Sequence, residues 1–159
     1  MVRNRGLSVR PVDPSFSGSL FEFMQELDEK DREFFHPHGC TVEEIREICA
    51  SKGEDHFCVV VDDDRVVAYG MLRGWDEGFD VPSTGIAVRR DSRGKGVALF
   101  LMAYLHDIAR GKGATRVRAR IHPENANSID MCEAIGYRFA GTDRGQLLGF
   151  CDLTPGGGV

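Results

Sequence analysis

Apolar and polar residues alternate from Leu7 to Val12, a period of two that predicts a short strand stopped by Pro14. From Ser17 the period changes: Leu20, Phe21, Met24 and Leu27 recur at helical spacing. Asp31 to Cys40, DREFFHPHGC, contains a Pro and a Gly and predicts a loop. Thr41 then caps a second helix, with Glu44 completing a capping box and Val42, Ile45, Ile48 and Cys49 forming the apolar face. Phe57–Val61 and Arg65–Leu72 predict two strands joined by a hairpin at Asp62-Asp63-Asp64, an acidic triplet that suits a solvated turn. After the loop RGWDEGFDVPS come a strand (Thr84–Arg89), a long helix (Val97–Ala109), a strand (Arg116–Ile121) and a helix (Asn125–Ile135). Two last strands follow, Tyr137–Thr142 and Leu147–Leu153. The order β-α-α-β-β-β-α-β-α-β-β predicts an α/β (α+β) fold: one mixed, mostly antiparallel sheet of about seven strands with helices on both faces.

Size and composition narrow this picture. A chain of 159 residues, 42% of them hydrophobic, supports a single core, expected over residues 1–154 with a Gly-rich tail at 155–159. The formal charge of −5 argues against a nucleic-acid partner. The longest apolar run, Val97 to Leu105, is far too short to span a membrane, and the start MVRNRGLSVRP has no apolar stretch of a signal peptide. Five scattered cysteines, none in a C-x-x-C pair, suit neither a disulfide framework nor a zinc site and predict a reducing, cytoplasmic setting.

One tetrapeptide occurs twice, at the two ends of the long helix. Arg110-Gly111-Lys112-Gly113 follows it, with basic residues near the negative end and glycines for left-handed stopping, and reads as a terminator. Arg93-Gly94-Lys95-Gly96 precedes it, where unpaired amides, the positive end of the dipole and unhindered glycine backbone suit a pyrophosphate. No Lys-Ser/Thr follows, so it is not a Walker loop, and Leu99 stands where the dinucleotide fingerprint needs a third small residue. By itself the segment reads equally as an anion cradle or as a tight strand-to-helix turn.

Context adds a resemblance. TGIAVRR-DSRGKGVA-LFLMAYLHDIA resembles the coenzyme A-binding segment of the GNAT superfamily of N-acetyltransferases, with Arg93, Gly96 and Ala98 at its fixed positions. NANSIDMCEAIGY resembles that family's N-x-x-A-x-x-x-Y-x-x-x-G-F segment, with Asn125, Ser128, Gly136 and Tyr137 in place. The resemblance implies a sheet splayed between its fourth and fifth strands, acetyl-CoA as co-substrate and no metal. It places the pantetheine arm against the backbone of Ile86, Ala87 and Val88. It places the pyrophosphate on amides across Arg93, Gly94, Lys95, Gly96, Val97 and Ala98, with a further contact from Asn125. Where the family has a tyrosine that protonates the departing thiolate, this chain has Cys132. Two roles are open to it: the acid of the reaction, or a small buried filler beside solvent protonation.

A base must also take the proton of the attacking amine. Asp76, Glu77, Asp80, His36, His38 and His122 are the candidates, and the family's use of residues near the fourth strand favours Glu77. Phe35, His36 and Trp75 are expected to wall the acceptor pocket, with Phe34 beside them. Asp31, Glu33, Asp76, Glu77 and Asp80, against Arg32 and Arg73, predict an acidic pocket that attracts a protonated amine. The expected activity is acetyl transfer from acetyl-CoA to a small primary amine (an amino sugar, a nucleotide-linked amino sugar or a polyamine) by direct attack in a ternary complex. Acetylation of protein or peptide amines and non-catalytic acyl-CoA binding are the alternatives. No membrane partner is expected, and a homodimer is left open.

Overall fold

The structure, a computed structural model, describes residues 6–35 and 38–153. His36 and the tail 155–159 lie outside them. A first strand, β1 (Ser8–Pro11), leads into three helices, α1 (Ser17–Glu26), α2 (Glu29–Phe34) and α3 (Val42–Ala50). The hairpin β2 (His56–Asp62) and β3 (Arg65–Arg73) turns on Asp63 and Asp64, whose φ values of 48° and 67° are both left-handed, as a two-residue hairpin turn requires. Then come β4 (Ser83–Val88), α4 (Val97–Gly111), β5 (Arg116–Ile121), α5 (Ala126–Ala134), β6 (Arg138–Asp143) and β7 (Gln146–Asp152).

Helix α2 was not expected from the apolar pattern, because its six residues are too few to show a period. Local capping sets it instead. Asp28 Oδ1 accepts the Asp31 amide at 2.8 Å and Asp31 Oδ2 accepts the Asp28 amide at 3.3 Å, a reciprocal capping box. At α3 only half of the expected box forms. Thr41 Oγ1 accepts the Glu44 amide at 3.2 Å, but the Glu44 carboxylate takes the Thr41 hydroxyl rather than its backbone.

Seven strands form one sheet in the order β1-β2-β3-β4-β5-β7-β6. Every neighbouring pair is antiparallel except β4 and β5, which α4 connects by a crossover. Two apolar clusters cover the faces. One packs α4 and α5 against the sheet around the fully buried Leu101, Leu105 and Val117; the other packs α1 and α3 around Leu20, Phe23 and Ile45. The strand period fixes what β5 shows each side: Val117, Ala119 and Ile121 enter the α4 cluster, so Arg116, Arg118 and Arg120 point to the other face.

Candidate active site

The turn before α4 is built by two glycines in left-handed conformation, Gly94 (φ 73°) and Gly96 (φ 81°). Gly96 is the N-cap and brings no capping side chain; its carbonyl accepts the Phe100 amide at 3.0 Å. The amides ahead of Phe100 therefore have no partner within the helix and point out of its positive end. The neighbouring basic side chains brace the turn. Arg93 donates through Nε to the Val88 carbonyl (3.0 Å) and through Nη2 to Asp31 of α2 (2.8 Å), and Lys95 Nζ donates to the Asp91 carbonyl (2.9 Å). Arg89 pairs with Glu26 and Asp91.

Strand β5 is zipped to β7 from Arg116↔Asp152 to Ile121↔Leu147, but to β4 only at Ser83↔Arg118, where the Arg118 amide donates to the Pro82 carbonyl at 2.9 Å. Beyond that pair β4 and β5 part. The Arg89 amide donates to Val67 of β3 at 2.8 Å, which sets the phase of the β3–β4 ladder. Peptide groups of Ala87 thus turn toward Tyr69 of β3, while those of Ile86 and Val88 turn into the gap. The expectation for Ile86, Ala87 and Val88 is refined accordingly: Ala87 is committed to the sheet, and the Val88 carbonyl already receives Arg93.

A buried polar cluster closes the inner end of the gap. Thr84 Oγ1 donates to the Arg118 carbonyl (3.2 Å) and shares a hydrogen bond with the Tyr137 hydroxyl (3.0 Å), which also meets His106 Nε2 at 2.8 Å. Burial pulls the His106 pKa down to about 4 and pushes the Tyr137 phenol up, so both are neutral at pH 7. Tyr137 stands where the family pattern has phenylalanine, and nothing in the sequence announced that its hydroxyl would join β4 to α4.

A cleft of about 550 Å³ opens on the other side of the same strands. Phe34, Phe35 and Met71 form one wall, Ser83, Thr84 and Gly85 the floor, and Arg118, Arg120 and Arg144 the opposite wall; Arg73, Glu77 and Phe79 stand at its edge. A Cβ on Gly85 would lie 2.6 Å from Met71 Cε, so glycine preserves the depth. The two-residue β6–β7 turn, with Arg144 and Gly145 at φ 53° and 79°, carries Arg144 to the rim.

Of the expected site residues, Phe35 and Glu77 line this cleft, whereas Trp75 does not. Trp75 packs on the α4-side cluster beneath Lys112, whose Nζ lies 5.0 Å from its ring centroid. The expected acidic pocket is also corrected. Asp31 is used by the α2 cap and by Arg93, and Asp76 accepts the amides of Glu54 (2.7 Å) and Asp55 (3.3 Å). Glu33 lies 3.5 Å from His122, beside Glu124 at the surface, and is not among the residues lining the cleft. His38 meets Tyr69 Oη through Nε2 at 3.0 Å. Among the described residues Glu77 is the one carboxylate lining the cleft, against four arginines. The signal was in RVRARI, which reads as a strand with a solvated face until β5 is known to be central.

The Acetyltransferase (GNAT) family model matches residues 21–137. The chain belongs to the GNAT family of acetyltransferases. No curated protein sequence matches it. Among solved structures, the GNAT domain of S. lividans PAT superposes with a TM-score of 0.82 at 17% identity, over 92% of this chain and 90% of that one. PaiA N-acetyltransferase from Thermoplasma acidophilum in complex with coenzyme A gives 0.73 at 14% identity, over 92% and 99%. Ribosomal-protein-S5-alanine acetyltransferase from Vibrio fischeri gives 0.78 at 15% identity, over 94% and 96%. At such identities these likenesses establish the shared fold.

As a GNAT protein the chain is an acetyl-CoA-dependent N-acetyltransferase. Its residues fit that co-substrate: an uncapped helix N-terminus behind two left-handed glycines, next to a parted seam with inward-facing peptide groups. Asn125 caps α5 in this GNAT fold, its Oδ1 accepting the Ser128 amide at 3.4 Å. Cys132 is only 2% exposed within the α4-side core, and burial, helped by nearby Cys151, pushes its thiol up to about 12. No helix among the described residues is long and apolar enough to cross a membrane.

Proposed function

We propose that this GNAT enzyme acetylates the primary amine of a small molecule held in the cleft, by direct attack in a ternary complex. One observation carries the reading: Ser83, Thr84 and Arg118 are at once the closed end of the β4–β5 gap and part of the cleft's lining. Whatever lies in the gap thus ends where the cleft begins. The cleft's size falls in the range of small-molecule sites, roughly 300–1,000 Å³.

The amides from Gly94 to Ala98 and the helix dipole bind the pyrophosphate, Ile86 and Val88 hold the arm, and the free amide nitrogen of Asn125 adds a contact from α5. Acetyl-CoA supplies an activated thioester carbonyl. Around the acceptor, guanidinium groups lower an ammonium's pKa and favour the neutral amine that attack needs. Glu77 takes the amine's proton. Burial argues against Cys132 as the acid, because a thiol near pKa 12 is a weaker acid than an ordinary thiol of about 8.5, the kind it would protonate. Water protonates the leaving thiolate, and Cys132 fills the core.

Thiol release across a panel of amines, peptides included, tests the reading. Glu77→Gln is expected to lower kcat by about 10²-fold or more while calorimetric affinity for acetyl-CoA stays unchanged. Coenzyme A binding with no thiol release from any amine would instead mark a non-catalytic module. Cys132→Ala is expected to keep turnover within about twofold; a loss above tenfold at unchanged KM, rescued by Cys132→Tyr, would return the acid role to that position.

A further inference from the structure

The arrangement of charge in the cleft points to the class of acceptor. The chain carries a formal charge of −5, yet among the described residues this cleft gathers four guanidinium groups around one carboxylate. Its positive character runs against the protein as a whole.

Two of these arginines line the cavity and are held by neighbouring side chains. Arg118 Nε donates to Ser83 Oγ at 2.7 Å, and its guanidinium carbon sits 5.5 Å from the Phe79 ring centroid. Those contacts fix the side chain without neutralising it. Arg120 Nε lies 2.9 Å from Asp143 Oδ2, which anchors it to the β6–β7 hairpin. The two residues are alternate positions on one strand, about 7 Å apart on the same face. Their charges repel: burial and the charge of Arg120 lower the Arg118 pKa, an effect that Asp143 and Glu77 oppose in part. Among the described residues neither Arg118 nor Arg144 has a carboxylate within ion-pair distance. Like charges set side by side in a concave, half-buried site, each with planar donors, are relieved by an oxyanion. The facing wall of Phe34, Phe35 and Met71 receives an uncharged body.

Resting on the acetyl-transfer reading, we propose that the cleft selects an amine whose own body carries an oxyanion, a carboxylate or a phosphate, bound by Arg118 and Arg120 with Arg144 at the rim. The oxyanion on the β5 side fixes the acceptor's orientation and leaves its amine to the floor at Ser83–Gly85 and to Glu77. Free cationic amines such as polyamines are then poor acceptors, since they meet like charge.

Matched probes differing only in the anion provide the test: glucosamine 6-phosphate against glucosamine, and phenylalanine against phenylalaninamide. Each is titrated calorimetrically into the full-length protein saturated with coenzyme A. In at least one pair the anionic member is expected to bind tenfold or more tightly. Arg118→Gln/Arg120→Gln is expected to abolish that preference while coenzyme A affinity stays at its parental value and the protein still melts cooperatively. A preference confined to the first pair assigns phosphate, and one confined to the second assigns carboxylate. Equal binding within both pairs, no binding by either anionic probe, or a preference that survives the double variant overturns the inference. Thiol release measured with the same probes judges the other reading separately. Anionic amines that bind without turnover sink acetyl transfer and leave the anion site standing; neutral amines that are acetylated as well as their anionic partners do the reverse.

Discussion

Arg93-Gly94-Lys95-Gly96 and Arg110-Gly111-Lys112-Gly113 bracket α4 with the same four residues in opposite roles. In the second copy the terminal amides and both basic side chains are used by the chain itself. Gly111 is still helical, and only Gly113, at φ 88°, takes the left-handed stop that both glycines were expected to share. The Gly113 amide donates to Arg110 (3.0 Å) and the Ala114 amide to Ala109 (2.9 Å), the paired bonds of a Schellman cap. Lys112 Nζ reaches the Glu54 carbonyl at 2.6 Å, and Arg110 pairs with Asp107. In the first copy both glycines are left-handed, the side chains brace the loop, and the backbone amides are left over. Identical side chains thus give a closed end and an open one. The direction of the helix's peptide groups makes the difference.

Breaking the open end should have the largest effect. Gly96→Asp places a carboxylate on the amides and forces a side chain into φ 81°; coenzyme A affinity by calorimetry is expected to fall at least about 10²-fold. An equal loss in Gly113→Asp would erase the contrast. Arg93→Ala releases both the Val88 carbonyl and Asp31, and acetyl-CoA affinity should weaken about tenfold, against less than about twofold for Arg110→Ala. Gly113→Ala meets no atom within 4 Å, so it isolates the cost of a left-handed Cβ. The expectation is about 1 kcal/mol of stability, or roughly 2–4 °C in Tm, at unchanged coenzyme A affinity. Lys112→Ala should be smallest, under about 1 kcal/mol by urea denaturation, because its bond to Glu54 is at the surface. A fall in acetyl-CoA affinity in either of the last two would show the closed end taking part in binding.

Periodicity made most of the fold legible, since long apolar patterns such as Val97–Ala109 leave few alternatives. It missed α2, where two aspartates and no apolar period do the work. The left-handed turn before α4 was legible because glycines at fixed spacing before a helix state a backbone conformation. The cleft was not. Asp31 and Asp76 looked like substrate ligands in a string, and only the folded chain reveals that backbone amides and Arg93 engage them. Arg118 and Arg120 drew no attention in the strand Arg116–Ile121, because nothing in the string says which face of it lines a cleft. Strand alternation gives two faces to a sequence, but the identity of what covers each face is tertiary information.

The parted seam between β4 and β5 also has a thermodynamic meaning. The sheet is in effect two sheets, β1–β4 and β5–β7, sharing α4 and a single laddered pair. A ligand whose arm bonds to both sides of the seam supplies the missing rungs, so binding finishes an act of folding. Mass action then couples the two: a co-substrate present at a hundred times its Kd adds about 2.7 kcal/mol to the resistance of the chain against unfolding. The melting temperature of this protein becomes a readout of the coenzyme A supply around it.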